Sequence, residues 1–224
     1  MLTDDNAKRM AEAAVELASE RGWRDVSLAD VAARAELPLP DAYRVAPTKA
    51  HLLAQLIAAT NLVVLEGGMA DRAEAPRDRL FDVLMRRFDA MQARRGGMVA
   101  ILRDLPLDPL SALCALPQFG QSLGWMLEAA GISSAGVVGA LKVKGLAVVY
   151  LSTLRVWLDD KTADMARTMA ALDKNLICAE RALRRVPLLG RFLGTGFDDA
   201  SAPAAPPPPP PADLTPPPAP SSPS

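Results

Sequence analysis

The chain of 224 residues is poor in the residues that build metal centres and hydrolytic triads. His51 is the only histidine, and Cys114 and Cys178 are far apart, with no CxxC spacing and no neighbouring ligands. A zinc site needs several such ligands, and a Cys/His or Ser/His pair needs a histidine beside its nucleophile. No set of nucleophile, base and orienting group is visible, so the sequence predicts neither an enzyme nor a bound cofactor.

Long apolar runs are also scarce. The start, MLTDDNAKRM, is acidic and polar, unlike a secretory signal. The densest apolar run, GLAVVYLSTLRVWL, is shorter than the roughly 20 residues of a membrane-spanning helix and contains Arg155. We therefore expect a soluble cytoplasmic protein.

Composition separates the last residues from the rest. The chain is 50% hydrophobic and 23% charged with a net charge of −1, which is typical of a globular protein without a generally basic surface. Residues 197–224 contain 12 of the 20 prolines. They predict a disordered, extended tail, serving either solubility or docking to a proline-binding module.

Helical periodicity predicts an all-α fold. Few segments alternate as strands do, and Gly or Pro marks the turns at RGW, LPLP, APT, EAP, RRGGM and AAGIS. Short helices at the start and long ones after residue 48 indicate a small unit, 1–49, fixed to a bundle, 50–196. The nine expected helices cover 5–21, 27–34, 39–45, 48–66, 76–94, 98–105, 107–130 (bent around Pro117), 134–158 and 162–185.

The first unit has the signals of a helix-turn-helix. Gly22 is placed to end the first helix, and Ser27 with Asp30 forms a capping-box pattern that starts the second. A short connection through Glu36 and Leu37 leads to a third helix.

These motifs resemble a known family. AAVELASERGW, VSLADVAARAE, AYR and PTKAHLL follow the order found in the N-terminal domain of TetR-type transcriptional regulators. The resemblance implies an all-α, nine-helix protein that binds double-stranded DNA as a homodimer and responds to a small apolar ligand. Residues 1–49 would then be the DNA-binding-like domain, and 50–196 the ligand-binding and dimerisation bundle.

The resemblance also implies contacts, carried over by position. Tyr43 and Lys49 would hold phosphates, with Arg44 nearby, and Thr48 would cap the fourth helix towards phosphate. In the major groove, the residues expected to face the bases are Leu39 and Asp41.

The middle of the third helix departs from the family pattern. Glu36 stands where a glycine is usual, and the next positions read Pro38, Leu39, Pro40 and Asp41. Residues 1–60 hold seven Lys or Arg against nine Asp or Glu, and a carboxylate at a helix start opposes binding to a polyanion. A helix-turn-helix kept only for packing is therefore the alternative.

The bundle supplies candidates for a ligand pocket and a dimer interface. Trp125, Met126 and Trp157 are pocket candidates, with ordinary core as the alternative. A heptad-like stripe suits antiparallel helix packing. The resemblance to TetR-type proteins implies a dimer through the last two helices, although an intramolecular partner needs the same stripe. Its members are Met165, Met169, Leu172, Leu176, Ala179 and Leu183.

A second, weaker resemblance concerns the end of the bundle. YLSTLRVWLDDKTADMARTMAALDKNL is loosely similar to TetR-fold lipid-binding accessory proteins of ubiquinone biosynthesis. Those proteins have a degenerate helix-turn-helix, an isoprenoid ligand and a membrane-binding amphipathic helix. RALRRVPLLGRFLG would supply that helix, with either peripheral membrane contact or a cap over the bundle as its role. The membrane-binding candidates are Arg184, Arg185, Phe192 and Leu193.

Overall fold

A computed structural model describes residues 2–185. Within that range the fold is all-α, as predicted, with nine α-helices and a 3₁₀ turn at Leu105–Leu107. The predicted tail, 197–224, lies outside the described residues. The helices are α1 (Leu2–Arg21), α2 (Leu28–Arg34), α3 (Leu39–Val45), α4 (Lys49–Glu66), α5 (Pro76–Gln92), α6 (Arg95–Asp104), α7 (Pro109–Ala129), α8 (Gly136–Asp159) and α9 (Ala166–Arg185).

The predicted start and stop signals of the first helices are confirmed. Gly22 follows α1 with φ +83°, a backbone angle that favours glycine. The Ser27 side chain accepts a hydrogen bond from the Asp30 amide, and the Asp30 carboxylate accepts one from the Ser27 amide. Pro40 lies in the first turn of α3, where its missing N–H removes no intrahelical bond.

Two clusters of buried apolar side chains hold the helices together. The first joins α1–α3 and the first half of α4 to Ile101 of α6 and Ala115 of α7. The second lies between α5, α7, α8 and α9 and includes Val64 near the end of α4. Helix α4 thus contributes to both clusters.

Helices α1 and α6 pack closely through glycine. The segment RRGGM was predicted to be a turn, but Gly96 and Gly97 lie inside α6. A Cβ built on Gly97 would overlap the backbone carbonyl of Val15, so only glycine permits this approach. The contact is flanked by an ion pair between Arg94 and Glu12 at 2.8 Å.

A buried aspartate organises the connection between α8 and α9. The side chains and amides of Thr162 and Thr168 donate to the Asp160 carboxylate, over 2.6 to 3.1 Å. Burial opposes ionisation of Asp160, but these hydrogen bonds outweigh it and hold its pKa well below the usual range. Because the connection is fixed in this way, α9 begins at Ala166, later than predicted.

The two last helices use only part of their apolar surface on each other. From the predicted α9 stripe, Met165, Leu172 and Leu176 are buried, whereas Met169 and Ala179 are half-buried. The side chain of the sixth member, Leu183, lies outside the described part. On α8, Val137, Val148 and Leu151 remain exposed.

Contrary to the sequence-based expectation, α8 is long and apolar enough to cross a membrane by length and composition. A third of its most apolar window is buried in the bundle.

Replacement of Gly97 by alanine is expected to separate α1 from α6. The added methyl group collides with backbone, which cannot rotate away, so we expect the free energy of unfolding to fall by about 1–3 kcal/mol. Gly96→Ala is the matched control, because its Cβ would lie 3.5 Å from the Ser19 Cβ, an ordinary contact. Urea unfolding of both variants measures the difference, and equal stabilities would contradict the close approach.

Replacement of Asp160 by asparagine is expected to remove a pH-dependent part of the stability. Because the folded pKa is depressed, the carboxylate stabilises the protein above its unfolded pKa of about 4, and this contribution is lost as pH falls. At pH 7 we expect Asp160→Asn to cost about 2 kcal/mol, through weakened hydrogen bonds to a charged group. Urea unfolding at several pH values should show the gap between the two proteins narrowing below about pH 4. A gap independent of pH would refute this role.

Candidate nucleic-acid interface

The turn between α2 and α3 is tight and depends on one backbone conformation. Glu36 has φ +53°, the left-handed region that glycine adopts most easily. The amides of Glu36 and Leu37 donate to the carbonyls of Ala33 and Ala32, closing α2. Arg9 of α1 donates to the Glu36 carbonyl at 3.3 Å. The helix-turn-helix geometry is therefore retained although the usual glycine is replaced.

Helix α3 presents a mixed apolar and polar surface. Leu39 is 62% and Tyr43 70% exposed, so both predicted contact residues face solvent. Arg44 is also exposed, and its guanidinium pairs with the Asp41 carboxylate one turn earlier. Four of the six predicted DNA-contacting residues therefore lie on this short helix: Leu39, Asp41, Tyr43 and Arg44. The Asp41–Arg44 pair neutralises the only cation on it.

The start of α4 differs from its predicted role at one residue. Thr48 caps the helix as predicted, accepting a hydrogen bond from the His51 amide. Lys49, however, does not extend outward towards a phosphate. Its ammonium donates to the carbonyls of Trp23 and Arg24 at 2.9 and 3.4 Å and lies 4.8 Å from the Trp23 ring centroid. Partial burial lowers the pKa of Lys49, against the opposing effect of three nearby aspartates.

Most other cations of the N-terminal unit are also paired. Arg34 forms ion pairs with Glu16 and Glu20. Arg9 pairs with Glu36, and Arg21 pairs with Asp30. Lys8 and Arg24 are exposed, and neither side chain has an ion pair in the part of the chain that the structure describes. The surface around α3 therefore has little unpaired positive charge for a phosphate backbone.

The three predicted pocket residues do not meet in one cavity. Trp125 is 58% exposed and lines a surface groove of about 410 Å³ between α7 and α8, whereas Met126 and Trp157 are fully buried. Adjacent positions on a helix point about 100° apart, so Trp125 and Met126 cannot face the same side. Trp157 instead packs near Phe88, with ring centroids 6.3 Å apart.

The bundle core contains a polar cluster that the sequence analysis missed. Arg87 is 3% exposed and donates to the Tyr150 hydroxyl at 3.1 Å and to the Asn61 side-chain oxygen at 2.6 Å. The Ser122 hydroxyl donates to the same Asn61 oxygen at 2.6 Å. The available signal was an arginine on the buried face of α5, one turn after Val83 and one turn before Met91.

The predicted membrane-binding residues lie at the end of the described residues or after it. Arg184 and Arg185 end α9, but their side chains lie outside the described part, as do Phe192 and Leu193 entirely. Two basic positions and the apolar run after them therefore stay a prediction from sequence.

Comparison with known proteins identifies the N-terminal unit. Residues 11–56 match the family model described as bacterial regulatory proteins, tetR family. The match covers most of α1, the whole of α2 and α3 and the first half of α4, whose geometry is given above. Residues 11–56 are thus similar to the DNA-binding domain of that family.

The similarity to TetR-type proteins extends over the bundle. The HTH-type transcriptional repressor KstR of Rhodococcus jostii (strain RHA1) is 26% identical over 160 residues, covering 71% of this chain and 76% of the repressor. A TetR transcriptional regulator from Nitrosomonas europaea ATCC 19718 superposes with a TM-score of 0.61 at 21% identity, over 78% of this chain and 98% of that one. One from Rhodococcus sp. RHA1 has a TM-score of 0.63 at 20% identity, over 84% and 100%. The chain therefore has the TetR fold.

The Glu36 turn of the TetR-type domain gives a direct test. Glu36→Gly is expected to raise the free energy of unfolding by about 1 kcal/mol, because glycine adopts a positive φ without the Cβ clash. Glu36→Gln is the matched control: it removes the charge and keeps the backbone strain. The ion pair that Glu36 forms with Arg9 is exposed and 3.8 Å long. Its loss should therefore change the free energy of unfolding by less than about 0.5 kcal/mol. Urea unfolding measures both, and a glutamine variant as stable as the glycine variant would argue against strain at this turn.

Proposed function

We propose that this chain is a TetR-type transcriptional regulator: a non-enzymatic, cytoplasmic homodimer that binds double-stranded DNA and responds to a small apolar ligand. The observation that carries the proposal is the helix-turn-helix of residues 11–56, which matches the family model and keeps α3 at the surface. In this proposal residues 1–49 bind DNA and residues 50–196 form the ligand-binding and dimerisation bundle.

In the proposed complex α3 lies in the major groove. Tyr43 and Arg44 contact phosphates, and Leu39 is placed to touch a thymine methyl group. Arg44 must break its ion pair with Asp41 to reach a phosphate, so Asp41 weakens DNA binding whatever the base sequence. Thr48 keeps the N-terminus of α4 intact, and Lys49 supports the interface indirectly by holding α4 against the turn after α1.

Contacts between the two units provide a route for ligand control. The Gly97–Val15 approach and the Arg94–Glu12 pair join α6 to α1. Asp104, at the end of α6, accepts a hydrogen bond from the Arg24 amide at 3.1 Å. A ligand that shifts α6 within the bundle would therefore move α1, and with it α3, changing the separation of the two DNA-binding units.

The exposed stripe on α8 supports the proposed homodimer. Val137, Leu141, Val148 and Leu151 recur at helical spacing and are 89%, 39%, 67% and 48% exposed. Gly145 lies on the same side, and a Cβ built there would meet nothing within 4 Å. Burial of this stripe against α8 and α9 of a second copy would remove it from water, in a four-helix interface.

A salt titration of binding to genomic DNA fragments tests the proposal. Affinity should fall as salt rises, because bound phosphates release counterions. Asp41→Asn should strengthen binding about two- to fivefold, through removal of one repulsive charge close to phosphate. Arg44→Met should weaken binding and reduce the slope of log affinity against log salt by about 0.9.

Arg72→Met is the control for both variants, since Arg72 is exposed in the loop before α5 and distant in sequence from α3. Sedimentation equilibrium in the same buffers reports the dimer. DNA binding that is absent or indifferent to salt would reject the regulator and leave the helix-turn-helix as a packing unit; a monomer at all concentrations would reject the homodimer.

A further inference from the structure

The core of the bundle holds positive charge without a matching carboxylate. Arg79 and Arg87, two turns apart on α5, are each 3% exposed. Among the side chains that the structure describes, residues 5–182, neither forms an ion pair, and the Nε of Arg79 has no hydrogen-bond partner. The one carboxylate of the described residues buried to the same degree, Asp160, is already satisfied by Thr162 and Thr168.

In the described residues the hydrogen-bond partners of Arg87 are neutral. A guanidinium carries five N–H groups. In the described core those of Arg87 meet two acceptors, the Tyr150 hydroxyl and the Asn61 oxygen, with the Tyr150 ring centroid 5.3 Å away. Burial of a charge is costly unless an opposite charge or enough hydrogen bonds compensate it. Arg87 is therefore set up to accept an anion, which a guanidinium binds through two parallel hydrogen bonds.

The surroundings of Arg87 are apolar and aromatic. Phe88 stacks on Tyr150 with centroids 5.3 Å apart, and Leu123 and Met126 are fully buried beside them. Such walls suit a hydrocarbon chain or ring, so the residues around Arg87 combine one site for negative charge with a large apolar surface.

Helix α7 borders this cluster. Phe119 is half-buried and covers Tyr150 at a centroid distance of 5.7 Å. Pro117, two residues earlier, removes a backbone hydrogen bond within α7 and weakens the helix there. Earlier on the same helix, Leu113 and Leu116 are 63% and 54% exposed. Movement of Phe119 would join this exposed apolar surface to Arg87.

We propose that Arg87, held by Tyr150 and Asn61, binds the anionic head group of an amphipathic ligand whose apolar part lies among the aromatic residues of the core. The inference rests on the proposed function, because it specifies the chemistry of the ligand to which the regulator responds. It also gives that ligand a means of acting on α4: Arg87 contacts Asn61 of α4, the helix that continues from the helix-turn-helix.

Isothermal titration calorimetry of the full chain, without DNA, tests the site with decanoate and 1-decanol, which differ in the head group. Decanoate should bind, and 1-decanol at least about tenfold more weakly, because only the carboxylate pairs with the guanidinium. Arg87→Met, which keeps an apolar stem and removes the guanidinium, should weaken decanoate binding about tenfold or more and change 1-decanol binding by less than about twofold. Arg72→Met should leave both unchanged.

Tyr150→Phe is the second variant, in case Arg87→Met does not fold, as judged by circular dichroism. It keeps the aromatic ring and removes the hydroxyl that orients Arg87, so decanoate alone should weaken. Equal binding of decanoate and 1-decanol, no binding of decanoate to the unaltered chain, or folded variants that keep their preference for decanoate would overturn the proposal. DNA retardation is measured separately. A chain that binds DNA but not decanoate keeps the proposed function and loses this inference. A chain that binds decanoate but not DNA keeps the anion site and loses the proposed regulator.

Discussion

The packing of α4 in two cores is the constraint on which the rest of the structure depends. Leu52, Leu53 and Leu56 are buried with the helix-turn-helix, and Val64 is buried with the bundle, two turns later on the same helix. A helix transmits displacement along its length because its backbone hydrogen bonds resist stretching and bending. Neither core can therefore rearrange without affecting the other, and a change in the bundle reaches the short helices through packed side chains.

The close approach of α1 and α6 adds a second, independent connection. Gly97 lets the two backbones touch, and Arg94 and Asp104 fix the two ends of α6 to the N-terminal unit. With α4 and α6 both attached, the TetR-type domain is held at two places on the bundle. Any change in the relative positions of α4 and α6 therefore changes the orientation of this domain and not only its mobility.

The two units differ in how their positive charges are paired. The N-terminal unit pairs most of its surface cations with its own carboxylates, which lowers its attraction for DNA. The bundle buries two arginines without carboxylate partners in the described residues, which raises its attraction for an anion. Any DNA binding must therefore rely on shape and on a few rearranged pairs, whereas the proposed ligand site gains directly from charge.

The sequence by itself determined the local structure: the capping box at Ser27, the stop at Gly22, the all-α class and the family pattern at Tyr43 and Thr48. These depend on neighbouring residues, whose backbone preferences act over a single turn. Only the tertiary structure decided the rest. It turned Lys49 inward onto Trp23, separated Trp125 from Trp157, and brought Arg87 and Tyr150, 63 residues apart, to one hydrogen bond. It also placed Gly97 inside a helix, because the requirement for glycine there comes from Val15 of α1 and not from a turn. Such contacts join residues distant in the chain, so no local pattern records them.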